Sequence, residues 1–286
     1  MKKEEVDVLV IGAGPSGCVA SAYLFNHGVK VKVVEKSRFP RFVIGESFLP
    51  RSMEHYEEAG LLEALKAQKF EIKEGARFIR GEQICHFDFS NKFGKGWDWT
   101  WQAPRADFDN TLAREVIRKG VDVAFETEVL NVEFQGTDSL TTVRNKDGET
   151  SEISAKFIID SSGYGRVLPR LLDLDKPSDV THNSAIFTHV KDDRRVGGGE
   201  GTLITFDILE TQVWFWVIPF SNGNTSLGVV GPTSYIESLP EDTEEALREA
   251  IRRSDYYRNR YLDTEFLFKP HKIKDYSCAV QQNYGP

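Results

Sequence analysis

The run Gly12-Ala13-Gly14-Pro15-Ser16-Gly17 places three glycines at a spacing that suits chemistry around a phosphate. Gly12 permits a tight turn, Gly14 lets the backbone approach a pyrophosphate, and Gly17 lets a helix pack closely on the strand before it. The N-terminus of that helix would turn its amides and the positive end of its dipole toward the anion. Glu35, 23 residues after Gly12, is placed to accept hydrogen bonds from ribose hydroxyls and to repel a ribose phosphate. Glycine turns are common, so the elements around this one decide its meaning. Val6 to Ile11 reads as a buried strand, a helical stretch follows to His27-Gly28, and Val31 to Val34 reads as a second strand ending at Glu35. Strand, glycine turn, helix and acid together predict dinucleotide binding, and the spacing leaves FAD and NAD equally open.

Other residues could work on a substrate. Lys73 stands in Ile72-Lys73-Glu74-Gly75-Ala76-Arg77-Phe78, although a lone lysine near a strand start is ordinarily solvated. Trp97, Trp99 and Trp101 repeat with period two, so in a strand they share one face. That face is either a hydrophobic layer under covering elements or the lining of a pocket for an apolar or aromatic substrate. Trp214 and Trp216 alternate in the same way, as a half-buried strand would in any case.

The stretch Glu35-Lys36, Phe39-Pro40-Arg41 and Gly45-Glu46-Ser47-Phe48-Leu49-Pro50 resembles the FAD-dependent monooxygenase superfamily and its flavin-dependent halogenase branch. Arg105 with Phe108-Asp109 looks like the arginine that reaches the flavin nucleotide in that family. Phe157-Ile158-Ile159-Asp160 followed by Ser161-Ser162-Gly163 is similar to the strand and turn that return the chain beside FAD. Trp214-Phe215-Trp216-Val217-Ile218-Pro219 matches the Trp-x-Trp-x-Ile-Pro signature of the halogenases, and the Lys73 segment is similar to the one carrying their catalytic lysine. Geranylgeranyl reductases share the scaffold and carry a related aromatic motif; Ile218, where they tend to have Phe, favours the halogenase branch.

The resemblance implies FAD as cofactor, held by Gly12, Ala13, Gly14, Pro15, Ser16, Gly17, Glu35, Lys36, Arg41, Gly45, Glu46, Ser47, Arg105, Val129, Asp160 and Gly163. It further implies that reduced FAD and oxygen oxidise a halide, that Lys73 relays the electrophile to an electron-rich ring, and that the tryptophans separate substrate from flavin. A partly desolvated lysine suits this because its pKa falls and its amine can carry halogen. A separate flavin reductase is a possible partner in that scheme. Two alternatives remain: an FAD-dependent reductase or dehydrogenase of the geranylgeranyl reductase type, and a non-catalytic nucleotide-binding fragment.

The fold expected is α/β, a Rossmann-like FAD-binding domain with an interleaved antiparallel-sheet substrate domain. The first takes residues 1–72, 105–178 and 276–286, the second 73–104 and 179–275. Val121 to Phe125, Val129 to Phe134 and Thr141 to Asn145 read as an antiparallel appendage closed by the Lys146-Asp147-Gly148 turn. Ala185 to Val190, Thr202 to Ile208, Val213 to Pro219 and Ser226 to Val230 read as one antiparallel sheet, covered by an amphipathic helix over Glu241 to Ser254. Gly197 to Gly201 reads as a flexible loop. A strand at Tyr276 to Val280 is where the family's third flavin segment, a Gly-Asp followed later by Ser-x-Gly, should follow. The chain runs instead to Gln281-Gln282-Asn283-Tyr284-Gly285-Pro286, which predicts a C-terminally incomplete flavin site.

Composition bounds the function. The 286 residues are 40% apolar and 28% charged, which excludes a disordered chain, and 36 basic against 44 acidic residues give a net charge of −8 that disfavours nucleic acid. Cys18, Cys85 and Cys278 are too dispersed for a disulfide framework or a cysteine metal site, and the six His have no ligand spacing, so no metal is expected. No apolar run reaches the ~18 residues of a membrane span, and acids interrupt the N-terminus where a signal peptide would be apolar, so a cytoplasmic protein is expected. Ser161 and Ser162 lack a Gly-x-Ser-x-Gly elbow, which leaves hydrolase chemistry without a nucleophile.

Overall fold

In the computed structural model, which describes residues 2–285, the chain opens with strand β1 (Lys2–Ile11), where successive side chains feed two different cores. Val8 and Val10 face one apolar cluster, and Val6, Leu9 and Ile11 face another. A strand buried on both faces reads as a continuous apolar run, which is why Val6 to Ile11 was legible. There follow α1 (Pro15–Asn26), β2 (Val31–Val34), α2 (Arg51–Glu58), α3 (Leu62–Lys66), β3 (Glu71–Lys73), β4 (Gly75–Arg80), β5 (Gln83–Asp88), β6 (Thr100–Gln102), α4 (Arg105–Lys119), β7 (Asp122–Ala124), β8 (Glu128–Gln135), β9 (Asp138–Arg144) and β10 (Thr150–Asp160). Then come α5 (Val167–Leu171), β11 (Asp175–Lys176), β12 (Asn183–Lys191), α6 (Gly199–Thr202), β13 (Ile204–Glu210), β14 (Val213–Pro219), β15 (Asn224–Pro232), α7 (Thr233–Glu237), α8 (Thr243–Arg253), α9 (Arg258–Tyr261), β16 (His271–Ile273) and β17 (Ala279–Val280).

One sheet has six strands in the order β7-β2-β1-β10-β9-β8. Its parallel part joins Val8 to Val31, Ile11 to Val34 and Ile11 to Asp160, which brings the ends of β1, β2 and β10 to one edge. Helices α1 and α4 pack on one face through Cys18, Ala22, Phe108, Leu112, Ala113 and Val116. The other sheet has seven strands in the order β16-β12-β15-β14-β13-β4-β5. Val213, Phe215 and Val217 point to a face covered by Ala246, Leu247, Ala250 and Ile251 of α8. Trp214, Trp216 and Ile218 point to the opposite face. Asp242 caps α8 by accepting hydrogen bonds from the amides of Glu244 and Glu245. This mixed α/β architecture is the Rossmann-like arrangement with an interleaved second sheet that the sequence predicted.

Several details differ from the sequence expectation. The strand near Val121 to Phe125 is not part of the antiparallel appendage: β7 pairs parallel with β2, Val33 opposite Val123, because α4 returns the chain to that edge. The appendage is the β8-β9-β10 meander alone, with Gly148 at φ +81 in its turn. The four strands expected in the larger sheet pair antiparallel as predicted, and the one departure is the added strand β4, which pairs parallel with β13, Phe206 opposite Phe78. Gly197 to Gly201 is not all loop but enters the short helix α6. The strand expected over Tyr276 to Val280 is reduced to Ala279–Val280, paired with β11. No helix among the described residues is long and apolar enough to cross a membrane.

Candidate active site

The turn after β1 is built as the glycine spacing requires. Gly12 has φ +100, and a Cβ there would lie 2.6 Å from the Ser161 carbonyl oxygen. A Cβ on Gly17 would overlap the Gly12 carbonyl, so α1 sits directly on the turn. At Gly14 the nearest atom to such a Cβ is Arg41 Nη2 at 3.8 Å, which leaves the helix entrance open. Gly14 is the N-cap of α1 and supplies no side-chain cap, so the first-turn amides face that opening. An open cradle of amides at the N-terminus of a 12-residue helix fits a pyrophosphate.

Glu35 follows the end of β2 and is buried. Its Oε2 accepts from the Ala13 amide at 2.9 Å and its Oε1 from the Ser37 amide at 2.8 Å, which fixes the carboxylate at the rim of the loop. Each oxygen keeps a lone pair for a ribose hydroxyl. Lys36 points away, to Glu128 at 2.7 Å, and its side chain is exposed. Val129 packs into the cluster beneath the sheet, on β8. Asp160 turns to its own backbone, accepting from the amides of Ser162 at 2.9 Å and Leu168 at 2.8 Å, so it shapes the return turn that presses Ser161 against Gly12. Gly163, with φ +57, lies in that same turn.

Arg41 and Arg105 converge on one residue for which the sequence reading assigned no role of its own. Asp109 is fully buried; it accepts from Arg41 Nη1 at 3.1 Å and from Arg105 Nε and Nη2 at 2.7 and 3.0 Å. Its i, i+4 spacing from Arg105 on α4 was the available signal. Arg105 also donates to the carbonyl oxygens of Ile44 at 3.0 Å and Gly45 at 3.4 Å. The segment 41–48 is thereby strapped between the two sheets: Phe42 stacks near Phe187 and His271, and Ile44 packs on the Trp216 face. Glu46 is buried, and its Oε1 meets His189 Nε2 of β12 at 2.6 Å. Ser47 forms a bridge to Gln102, and the Phe48 amide donates to the Trp101 carbonyl at 3.1 Å.

That strap carries the partner of Lys73. The lysine ends β3 only 4% exposed, with Nζ donating to the Phe48 carbonyl at 2.8 Å and lying 5.1 Å from the centre of the Phe89 ring. The ordinary expectation of a solvated lysine therefore fails: β3 pairs with one edge of β6 and the strap meets β6 at Ser47 and Phe48, and the Lys73 side chain turns inward to the Phe48 carbonyl. Burial without a carboxylate partner pushes the Lys73 amine down to about 8.

The tryptophans separate into two groups. Trp97 and Trp99 lie before β6, so only Trp101 is in a strand, and the period-two strand expected over all three is corrected to a loop entering a short strand. They stack edge to face in series, 5.3 Å between successive centres, and pack with Phe108, Met53 and Leu62 against the helices of the six-stranded sheet. Trp216 lies flat over Gly228, whose missing Cβ makes room for it, and donates to Ser226 Oγ at 3.2 Å. With Trp214 and Ile218 it forms the sheet face that meets the strap. Among the described residues no group of His, Cys, Asp and Glu could hold a metal.

Residues 5–259 match the model of the FAD binding domain family. The chain is 34% identical over 244 residues to the flavin-dependent halogenase armH5 of Armillaria mellea, covering 79% of this chain and 46% of that protein, so it spans about half the length of that relative. Among solved structures it is similar to a flavoprotein/dehydrogenase from Cytophaga hutchinsonii, with 52% identity and a TM-score of 0.95 over 99% of this chain and 69% of the other. It is also similar to the myxobacterial chondrochloren halogenase, an FAD-dependent halogenase, with 29% identity and a TM-score of 0.87 over 97% and 65% of the two chains.

Proposed function

The chain belongs to the FAD binding domain family, in its flavin-dependent halogenase branch, and from that premise we propose that it halogenates an electron-rich aromatic ring through Lys73. Bound FAD would supply the two-electron chemistry by which oxygen oxidises a halide to hypohalous acid. The Gly12–Gly17 turn and the first amides of α1 would hold the pyrophosphate, and Glu35 the ribose. Arg41 and Arg105, both fixed on Asp109, keep the strap in place between the phosphate turn and the Trp216 face. Gly45, Glu46 and Ser47 of that strap are the residues proposed to border the flavin, and Trp214 and Trp216 to hold the ring substrate away from it.

The observation that carries the reading is the buried Lys73 amine with a pKa brought to about 8. Near neutral pH such an amine exists in both forms. Its ammonium donates hydrogen bonds to an oxygen-bearing oxidant, and its neutral form offers a lone pair to a halogen. The substrate class proposed is a small apolar or aromatic molecule, and a separate flavin reductase the source of electrons. Lys73→Ala should lose halide-dependent product by at least about a hundredfold, the usual scale for an essential acid, base or nucleophile, with flavin binding intact. Retained halogenation by that variant would remove Lys73 from the mechanism.

A second reading, an FAD-dependent reductase or dehydrogenase, is favoured by the 52% identity to a protein described as a flavoprotein/dehydrogenase. It predicts oxidation of reduced flavin by an organic acceptor with no halide present. A colourless protein that binds ADP and not FAD would instead support a non-catalytic nucleotide-binding role.

A further inference from the structure

The face of the second sheet that carries Trp214, Trp216 and Ile218 is apolar, with Ala185 and Phe187 of β12, Val230 of β15 and Phe220 beyond β14. His189 lies two residues past Phe187 on β12 and so points to the same face. It stands directly opposite Ser226, the residue whose hydroxyl accepts from the Trp216 indole. The rings of Phe42, Phe220 and Phe268 surround its imidazole, with centres 5.4, 5.2 and 5.2 Å away. Into this box the strap sends Glu46, whose side chain is wholly buried and whose Oε1 meets His189 Nε2 at 2.6 Å. Its Oε2 has no hydrogen-bond partner among the described residues, so the imidazole alone compensates the carboxylate.

Burying such a pair gains little stability over two well-packed apolar side chains, while removing one partner strands the other. What a buried polar pair adds is register. An apolar segment on an apolar face can settle in more than one position, and Phe42 and Ile44 of the strap supply only apolar contacts to the second sheet. The Glu46 contact allows one position. At the same residue the carbonyl oxygen accepts from the Ala103 amide at 2.9 Å, and on either side Arg105 donates to the Gly45 carbonyl and Ser47 bridges to Gln102. These bonds fix the strap to the segment of β6 and α4. Among the described residues, its polar attachment to the second sheet runs through Glu46 and His189 alone.

We propose that His189 is a positioning residue for the flavin site: through Glu46 it sets the register of the strap on the second sheet, and so where the backbone of Gly45 to Ser47 meets the flavin. This rests on the reading of that strap as the flavin border, and it adds the residue of the second sheet that holds it there.

The test uses His189→Leu, His189→Gln, Glu46→Gln and the double variant Glu46→Gln with His189→Leu. Hydrogen–deuterium exchange of flavin-free protein, read by peptide mass spectrometry, compares the amides of residues 42–49 with those of β1. His189→Leu should speed exchange in the strap at least about a hundredfold, the scale of stranding one partner of a buried pair, with β1 unchanged. His189→Gln should stay within about tenfold of the parent, because its amide N–H can take the place of the imidazole donor. With Glu46→Gln already present, His189→Leu should add only about a further tenfold, since a neutral amide is stranded in place of a charge. FAD affinity, read by flavin fluorescence, should fall in the same order. Equal effects of His189→Leu with and without Glu46→Gln, or a His189→Gln protein as perturbed as His189→Leu, overturn the proposal, because the imidazole then acts as packing alone. If His189→Leu does not fold, recovery of the fold on adding Glu46→Gln supports the pairing, and an unfolded double variant overturns it. If the exchange contrast holds while the parent protein binds no FAD, the register role stands and the flavin reading falls. If the parent binds FAD and His189→Leu changes neither strap exchange nor affinity, the flavin reading stands and His189 has no part in it.

Discussion

At the phosphate turn, the space beside Gly14 is bordered by backbone amides and one arginine, and the nearby carboxylates of Glu35 and Asp109 are held by two or more donors each. At Lys73, by contrast, a buried amine has the Phe48 carbonyl as its hydrogen-bond partner among the described residues and stands opposite Thr100, whose buried hydroxyl has none. The first region pins its carboxylates with several donors each around an open cradle of amides. The second keeps a titratable amine poorly solvated, with its pKa brought down to about 8. A binding site gains from full satisfaction of its polar groups; a reactive site gains from leaving one of them short.

Substitution at the turn should produce the largest effect. Gly17→Ala places a methyl into the Gly12 carbonyl, so the turn and the start of α1 cannot both keep their positions. We expect stoichiometric FAD to be lost from the purified protein, read by flavin absorbance. A yellow Gly17→Ala protein with parent affinity would show that the turn is more pliable than its packing indicates.

Lys73→Met tests the other region through stability. The amine drops from an ordinary value of 10.5 to about 8 on folding. Between those pH values the unfolded chain holds a proton that the folded chain has released, so stability rises with pH across that window. Below about 8 the full penalty applies, on the order of 3 kcal/mol at 1.36 kcal/mol per unit. Lys73→Met should therefore be more stable than the parent at pH 7 in urea unfolding, with the rise between pH 8 and 10.5 diminished. An equal rise in both proteins would mean that Lys73 is not desolvated.

A smaller effect is expected where the second sheet meets the strap. Gly228→Ala would push a methyl into the Trp216 indole, costing about 1–3 kcal/mol as overpacking does. Near-ultraviolet circular dichroism and the urea midpoint should both change, while flavin affinity stays within about threefold since the turn is untouched. The smallest effect belongs to Lys36, exposed and paired only with Glu128. Lys36→Ala should alter stability by less than about 0.5 kcal/mol and FAD affinity hardly at all. A large loss of affinity would bring Lys36 back to the nucleotide and blur the line between the two regions.

The phosphate turn was readable because its parts are consecutive: β1, three glycines, α1 and the acid after β2 lie within the first 35 residues. Val213 to Pro219 was readable for a similar reason, as its alternation is a property of one strand. The parallel pairings β2–β7 and β4–β13 were missed, because no local signal says which strands from distant parts of the chain become neighbours. The three indoles from Trp97 to Trp101 misled, since period two suggests a strand, yet packing against Phe108 and the helices drew two of them into a loop.

What the sequence determined by itself is the set of local geometries: a turn only glycine can make, a helix whose first amides are uncapped, and an acid at the end of the next strand that closes on the turn. Tertiary structure alone decided the state of Lys73. A lysine code says nothing of burial, and its pKa depends on which backbone closes over it, here the strap from Glu46 to Phe48 pressed on by β6. Desolvation is a property of surroundings, so the same residue that reads as a solvated surface charge in sequence becomes a buried amine of lowered pKa once three distant segments meet around it.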